Sequence, residues 1–394
     1  MAKLDYISLI PLEILTCILT LLHAKSLGMC KCVSKSWNSL ISDPHFIKTH
    51  LAKSSITKLL LLSAESQGGL YPEFRHALYS VNFDSKHHDT VASKLNFDLF
   101  TYSDNKNKNM WSRVWGSCDG LVLVEDTRKC MFLLNPTTLE FKMLPLLPSR
   151  YRSSKNICNL FGFGYDSSCD DYAVVAIVSK YEEKDACVYV HTLRTKQWKD
   201  VGSVTFDILF NEHAAGILVG ESIYWLACNG NDNSLLVLAF NIANKEFSKL
   251  PVPKGIFDSR SGFRRLGTHE GCLCLINMNV FNTIAELWVM QEDGVVRSFI
   301  KLLIAVNGLS CFVPSEENLV VMGRYKPVLL VYGARRRISG AKEGRMYKYM
   351  KVNGLPYNFE VGMTFVESLV SPNNWGGESR KNRGRRSKTT QSVK

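Results

Sequence analysis

The chain has 394 residues, of which 46% are apolar and 21% are charged, and its formal net charge is +12. This length predicts two or three domains, because one domain usually holds about 100–200 residues, and the apolar share excludes a wholly disordered chain. The longest stretch without Asp, Glu, Lys or Arg is Gly271–Ala285, with 15 residues, fewer than the roughly 20 that a membrane-spanning helix needs.

Residues 1–52 carry the signals of a small helical module. Pro11 and Glu13 suit a first helical turn, where a missing N–H costs nothing and a carboxylate complements the helix dipole. Asp43-Pro44 is typical of the start of a later helix. Apolar residues recur at helical spacing, as Ile14, Leu15, Ile18, Leu19 and Leu22 and again as Val33, Trp37, Leu40 and Ile41. A module of about 40 residues is too small to bury them all, so some must face the rest of the chain or another protein.

Residues 53–370 have the pattern of a large all-β domain. Short runs rich in Val, Ile, Leu, Phe and Tyr alternate with Asn, Asp, Gly and Ser turns, as in antiparallel strands. A loose repeat consists of a strand, a polar turn and an aromatic residue followed within two positions by Lys. The aromatic residues are Phe141, Trp198, Phe247 and Phe299, at spacings of 57, 49 and 52, and Ser93-Lys94-Leu95 and Tyr347-Lys348 extend the series.

A period near 50 residues predicts the blades of a β-propeller. Six units fit, and a seventh would follow if Ile56–Ala64 pairs with Met363–Val370 to close the ring. An irregular β-sandwich with chance spacing is the alternative. The predicted fold class is therefore α+β multidomain: a small all-α module at 1–52, then a large all-β, six- to seven-bladed propeller-like domain at 53–370.

Residues 371–394 have no apolar period and are expected to form a disordered basic tail. Arg380–Lys394 holds seven Lys or Arg and no acid. Six of these cations suit a nuclear address or a nucleic-acid contact, with a merely solvated tail as the alternative: Arg380, Lys381, Arg383, Arg385, Arg386 and Lys388. No aromatic residue for base stacking lies among them, which argues against specific RNA binding.

The N-terminal module resembles an F-box. The family pattern appears in order between Ile10 and Phe46, with one departure, since Leu22-His23 stands where the family usually has Leu-Pro. The matching residues are Ile10-Pro11-Leu12, Ile18-Leu19, Lys25-Ser26-Leu27, Val33-Ser34-Lys35-Ser36-Trp37, Leu40-Ile41 and Pro44-His45-Phe46.

The large domain resembles the plant F-box-associated interaction domain, which is kelch-like and of the β-propeller type. The stretches that carry the resemblance are Gly116-Ser117-Cys118-Asp119-Gly120-Leu121, Leu134-Asn135-Pro136-Thr137-Thr138, Phe161-Gly162-Phe163-Gly164-Tyr165-Asp166, Thr195-Lys196-Gln197-Trp198, Ile223-Tyr224-Trp225-Leu226-Ala227 and Glu286-Leu287-Trp288-Val289-Met290. They occur in the family's order. The consecutive glycine pairs of true kelch blades are missing.

Together the two resemblances imply a substrate receptor of an SCF (Skp-cullin-F-box) ubiquitin ligase. The F-box would bind a Skp-type adaptor, and through it a cullin-RING ligase, while the β-domain would bind a protein substrate for ubiquitination and degradation. The implied adaptor-binding residues are Ile10, Pro11, Leu15, Ile18, Leu19, Leu22, Leu27, Val33 and Trp37. Such a receptor has no catalytic residue, cofactor or metal, and neither a membrane nor nucleic acid is an expected partner. We expect it in the cytoplasm and the nucleus.

Several motifs have a chemical interpretation beside a structural one. Gly116-Ser117-Cys118-Asp119-Gly120 has the spacing of a nucleophile elbow, but a strand follows it, so a hairpin turn fits better. Phe161-Gly162-Phe163-Gly164 is half of a phosphate-binding fingerprint without its helix, which favours close packing of a strand. The twelve cysteines lack framework or zinc-site spacing and are expected to be reduced thiols inside a cell.

Two other functions remain open on the sequence alone. Propellers also host hydrolases, although no catalytic cluster stands out. A basic nucleic-acid-binding protein that uses the tail is the other alternative, and deletion of residues 380–394 would abolish its binding.

Overall fold

Four helices begin the structure. The computed structural model describes residues 10–54, 56–66, 74–82, 89–97, 111–148, 157–180, 185–205, 215–228, 235–252, 263–278, 284–293, 296–305, 309–314, 318–323, 328–333, 347–355 and 359–374. The first of these ranges contains α1 (Leu12–Leu19), α2 (Ala24–Cys30), α3 (Lys35–Ile41) and α4 (Pro44–Lys53). No helix in the described ranges is long and apolar enough to cross a membrane.

Polar side chains fix where two helices begin. The Ser34 hydroxyl accepts a hydrogen bond from the Trp37 amide at 3.1 Å, and Asp43 Oδ1 accepts from the His45 and Phe46 amides. These bonds satisfy donors of the first helical turn that have no partner within the helix. The start predicted at Asp43-Pro44 is therefore confirmed.

The remainder of the described chain is almost entirely β-strand. The strands are β1 (Thr57–Ser66), β2 (Phe74–Asn82), β3 (Asp89–Val91), β4 (Ser93–Leu95), β5 (Trp111–Cys118), β6 (Leu121–Asp126), β7 (Met131–Leu134), β8 (Phe141–Met143), β9 (Ile157–Asp166), β10 (Asp171–Lys180), β11 (Asp185–Thr192), β12 (Trp198–Thr205), β13 (Ile217–Val219), β14 (Ser222–Cys228), β15 (Leu235–Asn241), β16 (Phe247–Pro251), β17 (Phe263–His269), β18 (Cys272–Met278), β19 (Ile284–Asp293), β20 (Val296–Ala305), β21 (Leu309–Pro314), β22 (Asn318–Gly323), β23 (Val328–Gly333), β24 (Tyr347–Asn353) and β25 (Phe359–Val366).

The strands form a ring of sheets. Sheet 1 has the order β25-β1-β2-β4, sheets 2 to 5 contain β5–β8, β9–β12, β13–β16 and β17–β20, and sheet 6 contains β21–β24 with β3 at its edge. The first strands of the sheets contact one another in the order β25, β5, β9, β13, β17 and β21, and β21 contacts β25 again. A closed ring of small sheets is a β-propeller. The prediction of a helical module followed by a mostly β propeller is confirmed.

The predicted count of six to seven blades is wrong, because only five sheets in the described residues have the form of a regular four-stranded blade. Five sheets have four antiparallel strands, whereas sheet 6 has a fifth strand, because β3 pairs in parallel with β24. The predicted pairing of Ile56–Ala64 with Met363–Val370 occurs between β1 and β25, where Leu60 lies opposite Met363. It adds no further blade, because β2 and β4 belong to the same sheet. No seventh sheet occurs in the described residues.

The loose sequence repeat marks the fourth strand of each sheet. Ser93–Leu95 is β4, Phe299 lies in β20, and Phe141, Trp198, Phe247 and Tyr347 begin β8, β12, β16 and β24. In sheets 2 to 5 the aromatic side chain packs against the core shared with the preceding sheet. The repeat therefore exists because each of these cores needs a large apolar side chain at its outer end.

Close contact between neighbouring sheets explains the Phe161-Gly162-Phe163-Gly164 motif. A Cβ atom on Gly162 would lie 2.5 Å from Ile223 Cγ2 and 2.6 Å from Trp225 Cζ2, both in sheet 4. Real Cβ contacts are longer than this, so only glycine fits. The interpretation as a close-packed strand is confirmed.

The packed chain extends past the predicted domain boundary at residue 370. Ser371 and Pro372 are buried. The first residues assigned to the tail therefore belong to the folded part. The six candidate nuclear-localisation residues, Arg380, Lys381, Arg383, Arg385, Arg386 and Lys388, lie outside the described residues.

Candidate partner-binding surface

The helical module leaves an apolar surface open to solvent. Its exposed large apolar side chains are those of Ile10, Leu12, Ile14, Ile18, Leu21, Met29 and Val33. Five of them have more than half of their surface accessible: Ile14 is 52%, Leu12 60%, Val33 61%, Met29 66% and Leu21 78% exposed. Scattered exposed apolar residues are common, but seven within 24 residues make this module the candidate interaction surface of the described chain.

Helix α1 and the turn that follows it present two apolar faces. Leu15, Leu19 and Leu22 point inward at spacings of four and three residues, and Leu19 is buried in the core of the module. Ile14, Ile18 and Leu21 repeat the same spacing one residue earlier and are exposed. A surface helix normally has a single apolar stripe, so the second stripe predicts a partner.

The structure divides the predicted adaptor-binding residues into two groups. Ile10, Pro11, Ile18 and Val33 are exposed. Leu19 and Leu27 are 1% and 0% exposed, so they lie inside the module and not on its free surface. They form the core of the module together with Ala24, Ile41, Phe46 and Leu369, and Leu15, Leu22 and Trp37 pack partly buried against it. A helical module this small must use some of its apolar residues to hold its own helices together.

Four exposed residues were absent from the predicted set: Leu12, Ile14, Leu21 and Met29. The signal for Ile14 and Leu21 was in the sequence, as the spacing of four and three residues around Ile18. Periodicity alone does not say which of two adjacent stripes faces inward. That choice depends on what the propeller covers.

The segment that carries these exposed side chains has more basic than acidic residues. Between residues 10 and 42 the sequence contains Lys25, Lys31 and Lys35 but only one acid, Glu13. Lys25, Lys35 and Glu13 are exposed and Lys31 is partly exposed. A partner with an apolar patch and an acidic rim is complementary to this surface.

The candidate nucleophile motif has a structural role. Asp119 and Gly120, with φ values of 52° and 79°, form the tight turn between β5 and β6, so the predicted hairpin is confirmed. Cys118 is buried, and burial followed by the nearby Asp119 raises the pKa of its thiol well above the ordinary value. A thiol of this kind is a poor nucleophile.

The propeller axis contains a small cavity of about 90 Å³. It is lined by Ser117, Gly216, Ile217, Leu218, Arg265, Leu266, Gly267, Thr268, Met363 and Thr364. Arg265 reaches from β17 to donate a hydrogen bond to the Gly362 carbonyl of β25 at 2.5 Å. No carboxylate, histidine or cysteine is among the residues that line it, so this described cavity lacks the acid–base pair of a hydrolase.

Family models match both parts of the chain. A model of the F-box domain matches residues 7–49, and a model of the F-box associated beta propeller domain matches residues 70–372. The chain is an F-box protein. All nine predicted adaptor-binding residues lie within the F-box match, whereas the basic residues of the tail lie beyond both matches.

Relatives of this F-box protein occur in Arabidopsis thaliana. An F-box/kelch-repeat protein is 29% identical over 361 residues, which cover 86% of this chain and 94% of the relative. The F-box protein CPR1 is 28% identical over 388 residues, covering 92% of this chain and 88% of the relative. Among solved structures, a protein from Lactobacillus plantarum is 12% identical, with a TM-score of 0.40, and the match covers 78% of this chain and 99% of that chain.

Proposed function

We propose that this F-box protein is the substrate receptor of an SCF ubiquitin ligase. The exposed apolar surface of the helical module binds a Skp-type adaptor, which connects the receptor to a cullin-RING ligase. The observation that carries the proposal is the second, exposed stripe on α1 within a matched F-box. Docking would remove these side chains from water, a gain of roughly 25 cal/mol per Å² before the costs of association.

In this function the propeller recruits a protein substrate and performs no bond chemistry. Its contribution is proximity, because it holds a substrate lysine near a charged ubiquitin carrier. Helix α4 contacts the turn between β9 and β10, where Lys48 Nζ lies 2.6 Å from Asp170 Oδ1. We infer that the substrate binds the propeller away from this turn.

A binding measurement with two matched double variants tests the adaptor site. Ile14→Ala with Ile18→Ala removes two exposed side chains of α1, and Leu139→Ala with Met143→Ala removes two exposed side chains of the propeller. We expect the first pair to weaken adaptor binding at least about tenfold and the second to leave it unchanged. Both double variants should have the parent's midpoint temperature of thermal unfolding, because substitutions of exposed side chains change stability little.

Either of two results would contradict the proposal. One is a folded parent chain that does not bind a purified Skp-type adaptor in an interaction assay. The other is an α1 double variant that binds as tightly as the parent. Leu19→Ala is unsuited to this test, because Leu19 is buried and its truncation would disturb the module itself.

We further propose that the protein is present in cytoplasm and nucleus and that its basic tail is the nuclear address. Six cations support this: Arg380, Lys381, Arg383, Arg385, Arg386 and Lys388. Replacing all six with Ala should shift a fluorescent fusion toward the cytoplasm and spare adaptor binding. A fusion whose distribution does not change would contradict the assignment.

A further inference from the structure

A short segment of the chain, residues 367–371, lies between the helical module and the propeller, and we call it the strap. All five of its residues are buried: Glu367, Ser368, Leu369, Val370 and Ser371. Adjacent side chains enter different cores, since Leu369 packs in the core of the module and Val370 in the core between sheets 2 and 3. The strap therefore joins two parts of the fold that are far apart in sequence.

Asn135 holds the strap from the propeller side. Its side chain is fully buried, and Nδ2 donates to the carbonyl oxygens of Ser368 at 3.1 Å and Val370 at 2.7 Å. Its Oδ1 accepts from the amides of Thr137 and Thr138. The oxygen therefore stabilises the local turn, while the amide hydrogens are directed at the strap.

Gly120 provides the space for the strap. At its φ of +79°, an added Cβ atom would lie 2.5 Å from both Ser368 Oγ and the Val366 carbonyl oxygen. Gly271 occupies the same kind of tight turn in sheet 5, at a φ of +72°, with no atom within 4 Å of an added Cβ. The crowding at Gly120 is therefore caused by the chain leading into the strap and not by the turn.

Helix α4 and the residues after it also contact the propeller, and we call this contact region between the module and the propeller the junction. Ile47 contacts the core of the module and also the core between sheets 2 and 3. Ser54 Oγ donates to the Glu367 carbonyl at 3.0 Å, and the Glu367 carboxylate pairs with Lys58. The helical module is thus attached to the propeller through the strap and through direct contacts of α4.

We propose that Asn135 and Gly120 are positioning residues, which hold the strap so that the F-box has one fixed orientation on the propeller. Both belong to motifs by which the chain resembles its family. A fixed orientation would set the distance between a bound substrate and the ligase. That consequence rests on the proposed function, whereas the orientation itself can be measured without an adaptor.

The decisive comparison is Asn135→Asp against Asn241→Asp. Asn241 makes the same turn in sheet 4, where its Oδ1 accepts from the amides of Ala243 and Asn244. An aspartate keeps this acceptor at both positions. At residue 135 it also loses both donors and places a negative charge against two carbonyl oxygens of the strap, so the pair of variants separates the strap from the turn.

Zero-length cross-linking with a carbodiimide measures the orientation in the full chain. Lys48 Nζ of the helical module lies 2.6 Å from Asp170 Oδ1 of the propeller. Within the propeller, Lys245 Nζ lies 2.8 Å from Asp166 Oδ2. Mass spectrometry of the digested protein gives both yields. We expect Asn135→Asp to lose most of the Lys48–Asp170 product and to keep the Lys245–Asp166 product, while Asn241→Asp keeps both.

Two results would overturn the proposal. If Asn135→Asp keeps the Lys48–Asp170 product at the parent's level, the strap does not set the orientation. If it loses both products, Asn135 holds the propeller itself. Gly120→Ala against Gly271→Ala gives a second pair with the same expected contrast, so misfolding of one variant does not leave the question open.

Adaptor binding distinguishes this proposal from the proposed function. We expect Asn135→Asp to bind a Skp-type adaptor with the parent's affinity, because the exposed stripe on α1 does not contact the strap. A parent chain that does not bind the adaptor would contradict the proposed function only. The cross-linking contrast would then still stand as a property of the fold.

Discussion

The helical module and the propeller use their apolar residues in opposite ways. Of the twelve exposed large apolar side chains in the described residues, seven lie between Ile10 and Val33, and the much larger propeller has only the other five. In the propeller, buried clusters fill the spaces between neighbouring sheets. A ring of sheets covers its apolar faces with its own repeats, whereas four short helices cannot, so the module needs partners on two sides.

One of those partners is the chain itself. The core of the module includes Leu369, contributed from beyond the last strand of the propeller. In the proposed function, the exposed side binds a second protein, the adaptor. Large apolar side chains would therefore stabilise the fold on one face of the module and bind the adaptor on the other.

The largest expected effect is the loss of a buried side chain from the module. Leu27 is fully buried and Met29, two residues later in α2, is 66% exposed. Leu27→Ala should lower the free energy of unfolding by about 2–5 kcal/mol, because it leaves a cavity, and Met29→Ala should change it by less than about 0.5 kcal/mol. Urea denaturation followed by circular dichroism measures the free energy of unfolding of both variants. Equal losses in the two variants would contradict the assignment of Leu27 to a buried face and Met29 to an exposed one.

A buried histidine should make the stability of the propeller sensitive to acid. His191 is buried beside Trp198, and burial, followed by Lys142, lowers its pKa from 6.5 to about 4. Neither of its ring nitrogens has a hydrogen-bond partner in the part of the chain that the structure describes.

Because the unfolded chain binds this proton more readily, His191 should reduce stability as the pH falls from about 6.5 to about 4. The loss is on the order of 3 kcal/mol, at 1.36 kcal/mol per pH unit. His191→Phe should flatten that part of the curve, as seen in denaturation midpoints at pH 7, 5.5 and 4. A variant curve with the parent's slope would exclude His191 as the source.

The smallest expected effect is at the ion pair of the junction. The hydrogen bond from Lys48, followed by that from Tyr165, lowers the pKa of Asp170, and the bond to Asp170 raises the pKa of Lys48. The pair therefore stabilises the fold at neutral pH. That contribution is lost as acid protonates Asp170 or as alkali deprotonates Lys48.

Both side chains of this pair are more than half exposed, so Lys48→Met should cost less than about 1 kcal/mol. The cost should shrink further in 1 M salt, because salt screens exposed charges. Thermal unfolding at low and high salt measures this. A larger and salt-independent loss would contradict the interpretation of this pair as an exposed salt bridge that salt screens.

Much of the fold was readable from the sequence. The aromatic-lysine repeat lies in the fourth strand of sheets 2 to 6, and Asp43-Pro44 marks the start of α4. These features depend on neighbours in sequence and on a regular period, which a single chain displays. The five-stranded form of sheet 6 was not readable, because β3 and β24 are more than 250 residues apart.

The candidate surface was only partly predictable. The sequence by itself determined that residues 10–41 carry more apolar side chains than a small module can bury, and that some of them need a partner. Only the tertiary structure decided which ones, because Leu19 and Ile18 are adjacent and equally apolar. Leu19 is covered because it lies in a core with Leu27, Ile41 and Phe46 that the strap completes with Leu369, and Ile18 stays exposed because no described part of the chain covers the other side.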